Sequence, residues 1–149
     1  MPKIYFAFSN TGKTYFCKHN PGWIDLDWYV FSKAINSKEL LIEAVKYYKY
    51  YGFNIFISYS GQYLTLKSAG INIDGIILPT VDLKEEYINR VQERSRTLHN
   101  TQDGFAQVYP QYFDSEQRTI QGIPGNKIYL KSGQYISDIL DSEGNIKEA

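Results

Sequence analysis

Gly12, Lys13 and Thr14 stand in a row and carry the most definite chemical signal in the chain. They close the turn Ala7-Phe8-Ser9-Asn10-Thr11-Gly12-Lys13-Thr14, directly after the apolar run Ile4-Tyr5-Phe6. A strand that ends in a small-residue turn closed by Gly-Lys-Thr and passes into a helix is an arrangement that cradles nucleotide phosphates. Successive backbone N–H groups and a helix N-terminus form the anion site before any side chain is counted. In that reading Asn10, Thr11 and Gly12 contribute backbone, Lys13 places its ammonium near the β- and γ-phosphates, and the Thr14 hydroxyl holds Mg²⁺. The full pattern G-x-x-x-x-G-K-[ST] has glycine where this chain has Ala7. An alanine there excludes the positive φ that glycine often supplies.

Two acids come next. Asp25 and Asp27 alternate along Trp23-Ile24-Asp25-Leu26-Asp27-Trp28, a spacing that points both to one side of a strand. At a strand end that opens on a ligand crevice, such a pair can bind Mg²⁺ through water or take a proton from a substrate hydroxyl. On an edge strand the same pair simply faces solvent. Farther along, Glu86, Arg90 and Arg94 fall at four-residue steps, with Arg96 just beyond. Arg94 and Arg96 are the candidates for clamps on a migrating phosphoryl group, whereas Arg90 reads as part of a solvated ion-pair stripe. The single cysteine, Cys17, reads as a small buried residue, and His19 and His99 are too far apart in sequence to make a metal case.

The elements that must position these residues follow from periodicity and breakers. Strands are expected at residues 3–8, 23–28, 53–60, 74–80 and 127–131, and helices at 11–19, 37–51, 62–69, 81–96 and 132–140. Their alternation predicts an α/β fold with a mostly parallel five-stranded sheet, joined by right-handed crossovers. The polar stretch 97–125, interrupted by Gly104, Pro110, Gly122 and Gly125, reads as a lid, helical in part over 105–119. The tail from Asp141 is expected to fray. The run Lys46-Tyr47-Tyr48-Lys49-Tyr50-Tyr51 reads as an amphipathic helix end whose tyrosines wedge against the sheet, although interleaved bases and aromatics also suit stacking on nucleobases.

Composition sets the outer bounds. The 149 residues suffice for one domain, which at this size buries roughly 68–70% of its unfolded surface. Sixteen basic and sixteen acidic residues cancel, which weakens the case for non-specific nucleic-acid binding. One cysteine permits no internal disulfide, and no apolar run reaches the roughly 18 residues of a membrane span. A soluble, unprocessed, cytoplasmic protein without a membrane partner is expected.

Taken together these stretches resemble the P-loop nucleotide and small-molecule kinases, and more narrowly the small adenylate-kinase-like P-loop proteins of phages of low-GC bacteria. The resemblance rests on Ser-Asn-Thr-Gly-Lys-Thr with Ile-Asp-Leu-Asp, on Ile-Leu-Pro-Thr-Val-Asp-Leu-Lys-Glu-Glu-Tyr-Ile-Asn-Arg with Arg94 beyond it, and on Leu-Lys-Ser-Gly-Gln-Tyr-Ile-Ser-Asp at 130–138. It implies a three-layer P-loop domain over 1–149 with a lid or insert at about 95–126. It also implies ATP and Mg²⁺ as ligands, a nucleotide, nucleoside or similar small acceptor, and the host cytoplasm as the location. Lys13, Asp27, Arg94 and Arg96 would be catalytic. Asn10, Thr11, Gly12, Lys13 and Thr14 would hold ATP, and Thr14 and Asp25 the metal. The chain departs from the resemblance at Ala7, in lacking an acid at the end of the third strand, where Ser58 and Ser60 stand, and in the tyrosine-rich segment where acceptor-binding residues are expected. Those departures define an alternative: a P-loop-fold accessory protein with little or no turnover that acts through a host protein.

Overall fold

Ile4, Tyr5, Phe6 and Ala7 form β1 (Ile4–Ala7), and all four are buried. A strand with apolar side chains on both faces needs cover on both, and helices supply it. The computed structural model describes residues 2–26, 37–97 and 103–147. After β1 come α1 (Lys13–His19), β2 (Trp23–Leu26), α2 (Ser37–Tyr50), β3 (Asn54–Ile57), α3 (Ser60–Ser68) and β4 (Gly75–Pro79). A 3-10 turn (Val81–Leu83) then leads into α4 (Lys84–Thr97), followed by α5 (Asp103–Gln121), β5 (Lys127–Leu130) and α6 (Ile136–Ile139).

The five strands make one all-parallel sheet in the order β2-β3-β1-β4-β5. The chain therefore steps one way from β1 to the β2 edge, then the other way through β3, past β1, to β4 and β5. Opposite steps with crossovers of one hand put the connecting helices on opposite faces. The core divides accordingly. Tyr5, Ala7, Trp23, Phe56, Ile77 and Leu130 pack with Phe16 of α1 and Ile136 of α6. On the other face Ile4, Phe6, Ile55, Ile57, Ile76 and Leu78 pack with residues of α2, α3, α4 and α5. The α/β class and the parallel five-stranded sheet agree with the sequence-based expectation.

Three stretches differ from it. Residues 103–121, expected within a polar lid, form a 19-residue helix whose Tyr109, Phe113 and Ile120 are buried in the larger core. Residues 141–147 are tied down rather than frayed: the Tyr5 hydroxyl donates to Gly144 O (2.7 Å), Trp23 Nε1 donates to Ser142 O (2.8 Å), and Leu140 bridges Ile146. Of the tyrosines ending α2, Tyr48 packs against the core and Phe53, while Tyr47, Tyr50 and the following Tyr51 are exposed.

Gly75, at the start of β4, is the closest approach in the sheet. A Cβ there would stand 2.7 Å from Tyr5 Cε1 and 3.2 Å from Ile128 Cδ1. Tyr5 cannot swing aside cheaply, because its hydroxyl is bonded to Gly144 O and its ring stacks on Trp23. Gly75→Ala is expected to cost about 1–3 kcal/mol of stability through overpacking. Chemical denaturation checks this, and an unchanged midpoint would mean the ring has room to move.

Candidate functional site

The carboxyl end of β1 lies where neighbouring connections part. From β1 the chain goes to α1 on one face, while from β3 and β4 it goes to α3 and α4 on the other. In open parallel sheets, that divergence leaves a crevice beyond the strand ends. The turn from Phe8 to Gly12 occupies it. Ala7 is still within β1, opposite Ile77. Among the described non-glycine residues only Asn10 has a positive φ, of 61°, so the alanine sits in ordinary backbone and glycine is not needed there. The left-handed positions are Asn10 and Gly12, the latter at φ 92° as the N-cap of α1.

The hydrogen bonds of this turn have one polarity. Most of its carbonyl oxygens are engaged: Lys13 Nζ donates to Ala7 O (3.1 Å) and Phe8 O (3.2 Å), and the Thr11 hydroxyl donates to Phe8 O (2.7 Å). Arg90 donates to Asn10 O (2.9 Å), Ile136 N to Thr11 O (2.9 Å) and Phe16 N to Gly12 O (3.0 Å). Among the described residues, the N–H groups of Asn10, Thr11, Gly12 and Thr14 donate to no protein acceptor. The start of α3 contrasts with this. There Gln62 Oε1 accepts from Ser58 N and Tyr59 N, and Glu116 accepts from Ser60 N. A turn that engages most of its carbonyls and keeps its N–H groups has the polarity of a concavity able to accept an anion.

Arg90 fastens the turn. Its side chain is only 11% exposed, and the guanidinium lies between the Tyr87 and Tyr135 rings, 4.3 and 3.9 Å from their centroids. Besides Asn10 O it donates to Gln134 O (3.0 Å) and Glu86 Oε2 (3.1 Å). Glu86 also accepts from the Ser132 hydroxyl and Gly133 N, and these donors hold its carboxyl below the usual range. Tyr135 in turn rests on Gly12, where a Cβ would come within 3.1 Å of its ring. Two segments distant in sequence, 86–90 and 132–136, thus close around the turn's carbonyl side.

The sequence-predicted residues separate into groups. Asn10, Thr11, Gly12, Lys13 and Thr14 lie together at the turn, Thr11 buried and Thr14 exposed in the first turn of α1. Asp25 is partly buried on β2, and both it and Lys13 act on the Cys17 thiol. Burial first and Asp25 second raise that thiol to about 12, with Lys13 opposing, so Cys17 is no nucleophile. Asp27 and His99 lie outside the described residues. Arg94 and Arg96 are exposed, and Arg96 pairs with Glu93 on its own helix (2.9 Å). The arginine brought to the turn is Arg90, which sequence reasoning left in a solvated stripe.

Sequence reasoning also missed Glu116. The end of β3 has no acid of its own, yet Glu116 of α5 reaches it, accepting from Ser60 N (3.1 Å) and the Ser60 hydroxyl (2.6 Å). Beside it, Tyr109 shares a 2.9 Å hydrogen bond with Ser9 of the turn, and burial raises the Tyr109 hydroxyl to about 12. Burial, followed by the Glu116 charge, raises Tyr112 as well. The signal was present: Phe105, Tyr109, Phe113, Glu116 and Ile120 share one helical face, and a carboxylate in an apolar stripe is a buried one. Comparisons with protein-family models, curated proteins and solved structures return no match to this chain.

Burial raises the Glu116 carboxyl above 4.5, against the opposing Ser60 donors. In the window above 4.5 the native state keeps a proton that the unfolded chain has lost, so stability falls as pH rises through the native value. Glu116→Gln, close in shape and uncharged, should remove that slope. Denaturation at a series of pH values tests this, and equal slopes in the two proteins would show that Glu116 is already ionised there.

Proposed function

We propose that the turn from Ser9 to Thr14 binds the phosphates of ATP with Mg²⁺, and that the protein transfers a phosphoryl group to a nucleotide, nucleoside or similar small acceptor. The observation that carries this is the polarity of the turn. Most of its carbonyls accept from Lys13, Thr11, Arg90, Ile136 and Phe16, and the N–H groups of Asn10, Thr11, Gly12 and Thr14 keep their donors at the carboxyl end of the central strand. Oriented N–H dipoles at a strand–helix turn suit phosphate oxygens and need little rearrangement when the anion arrives.

Each residue then has a role. The Lys13 ammonium rests on Ala7 O and Phe8 O, within its own turn, and exchanges those carbonyls for phosphate oxygens. Thr14 and Asp25 would hold Mg²⁺, which when bound neutralises charge on the phosphate oxygens. Arg90 positions the turn through Asn10 O, since its other donors are committed to Glu86 and Gln134. The acceptor oxygen forms its bond to phosphorus as the bond to the leaving phosphate breaks, and Asp27 takes the acceptor proton. Arg94 and Arg96, exposed on α4 with Arg96 paired to Glu93, would stabilise charge on the migrating phosphoryl group.

The same resting position of Lys13 favours a second reading. An ammonium that stays on its own carbonyls leaves a nucleotide-binding accessory protein without turnover, acting through a protein partner. The two readings share the phosphate site and differ in chemistry.

Mg-ATP at a hundredfold excess over its Kd should add about 2.7 kcal/mol of stability, or about 5–10 °C in Tm. Lys13→Ala should abolish most of that gain, and it should also lower the Tm of the ligand-free protein somewhat, since Ala7 O and Phe8 O lose the ammonium they accept from. A flat response in the parent protein would sink the phosphate site. If the shift is present, turnover of nucleoside and nucleotide acceptors, lost in Asp27→Asn, supports the kinase; a shift with no acceptor turned over favours the accessory protein.

A further inference from the structure

The end of the sheet opposite the phosphate turn carries a second cluster that the reading above does not use. Pro2 precedes β1, α2 ends just before β3, and residues 70–72 lead towards β4, so these segments meet at the amino ends of the parallel strands. A groove of about 580 Å³ lies there, lined by Pro2, Val45 and Ile71 together with Lys46, Lys49 and Tyr50 of α2. Beside it three tyrosines stand out in water: Tyr47 is 59% exposed, Tyr50 83% and Tyr51 60%. Their rings are neighbours, Tyr47 and Tyr51 at 4.9 Å and Tyr50 and Tyr51 at 5.1 Å between centroids. They meet one another tilted or edge-on, at 52° and 84° between planes, and the core takes only Tyr48 from this run.

The charge here is mostly cationic. Residues 44–51 and 61–72, from the packed helices α2 and α3 and the turns after them, carry Lys46, Lys49 and Lys67, while the nearby carboxylates are the exposed Glu43, one helical turn before Lys46, and Asp74, which accepts from Ile4 N and Asn72 Nδ2. Among the described residues, Lys46 and Lys49 form no ion pair and donate no side-chain hydrogen bond. A molecule of zero net charge therefore has a locally cationic end with exposed aromatic faces beside it. Ammonium groups along a groove next to rings that can stack are the two parts of a single-strand platform: the lysines follow phosphates and the rings receive unpaired bases. A duplex hides its base faces, and an acidic polypeptide would satisfy the lysines while leaving the rings without stacking partners.

We propose that this face, formed by the end of α2 and the groove beside it, binds single-stranded nucleic acid without base specificity, independently of the phosphate turn. Two or three lysines contact two or three phosphates, so the slope of log K against log salt is about −1.4 to −2.1. Binding is correspondingly weak and is measured at low salt.

Fluorescence anisotropy with a labelled oligothymidylate of about ten nucleotides tests this against the matching duplex and a polyglutamate of similar length. The single strand is expected to bind in preference to both competitors. Tyr50→Ala and Tyr47→Ala, at exposed positions, should each weaken binding at least about fivefold through lost stacking. Lys46→Gln with Lys49→Gln should flatten the salt slope by about 1.4, and the far-UV circular dichroism of every variant should match the parent. No binding at low salt would overturn the proposal, as would equal binding of polyglutamate or indifference to the tyrosine changes. Loss of binding in Lys13→Ala with the tyrosine variants intact would place the strand at the phosphate turn and also overturn it.

Discussion

The burial of β1 on both faces is the constraint from which the rest of the structure follows. Ile4, Phe6 and Phe8 face one core and Tyr5 and Ala7 the other, so neither side of the strand can be left to water. At roughly 1.5–3 kcal/mol for each large apolar side chain, this short segment gains more from two-sided cover than its few backbone bonds supply. Parallel neighbours on both edges, β3 and β4, satisfy the backbone, and parallel neighbours require crossovers. Because the first crossover steps to β2 and the later ones step back past β1, helices cover both faces. The same pair of opposite steps leaves the carboxyl end of β1 in an open crevice. The chain must leave that crevice through a turn tight enough to use left-handed backbone at Asn10 and Gly12.

That turn could not hold its shape alone. Two left-handed residues separated by Thr11 expose carbonyl oxygens at the edge of a buried layer, and each would cost about 1–3 kcal/mol if left without a donor. The donors come from three distances along the chain: Thr11 and Lys13 from within, Arg90 from α4, and Ile136 from the start of α6. Arg90 does this only because Glu86 balances its charge and the Tyr87 and Tyr135 rings sandwich its plane. Lysine at position 90 would keep the charge and lose the fork that reaches Asn10 O and Gln134 O together.

The parts of this arrangement visible in the sequence are those encoded by neighbours. The apolar runs of β1, β3 and β4, and the glycines at 52 and 70 after their helices, locate most elements within a few residues. The Gly-Lys-Thr signal locates the turn. What escaped was encoded by distance. Arg90 and Arg94 look alike on a helix wheel, but Arg90 lies one turn from Glu86 and beside buried Tyr87 and Val91, whereas Arg94 is exposed. Gly104, Pro110 and the surrounding polar residues suggested a lid with a helical part, whereas the stripe from Phe105 to Ile120 makes the whole of 103–121 a helix packed into the core. Residues 141–147 are held by main-chain oxygens that accept from Tyr5 and Trp23, and a carbonyl has no sequence signature. Ala7 looked like a defect because the motif expects glycine there, yet that position remains in strand geometry.

The two ends of the sheet also show why a balanced net charge says little about where anions are favoured. At the turn from Ser9 to Thr14 the Arg90 charge is balanced by Glu86, and the Lys13 ammonium rests on Ala7 O and Phe8 O. An anion there would meet N–H dipoles fixed in a partly buried turn together with the Lys13 ammonium, where solvent screening is weak. At the other end, Lys46 and Lys49 stand on a tyrosine-rich surface and act through water and salt, with a reach limited to about 8–10 Å at physiological ionic strength. On the readings proposed above, an anion at the turn would be selected by the directions of its oxygens, and one at the α2 end by the spacing of its charges. A compact phosphate group suits the first constraint, and a flexible chain of phosphates, which can adjust its spacing to exposed lysines, suits the second.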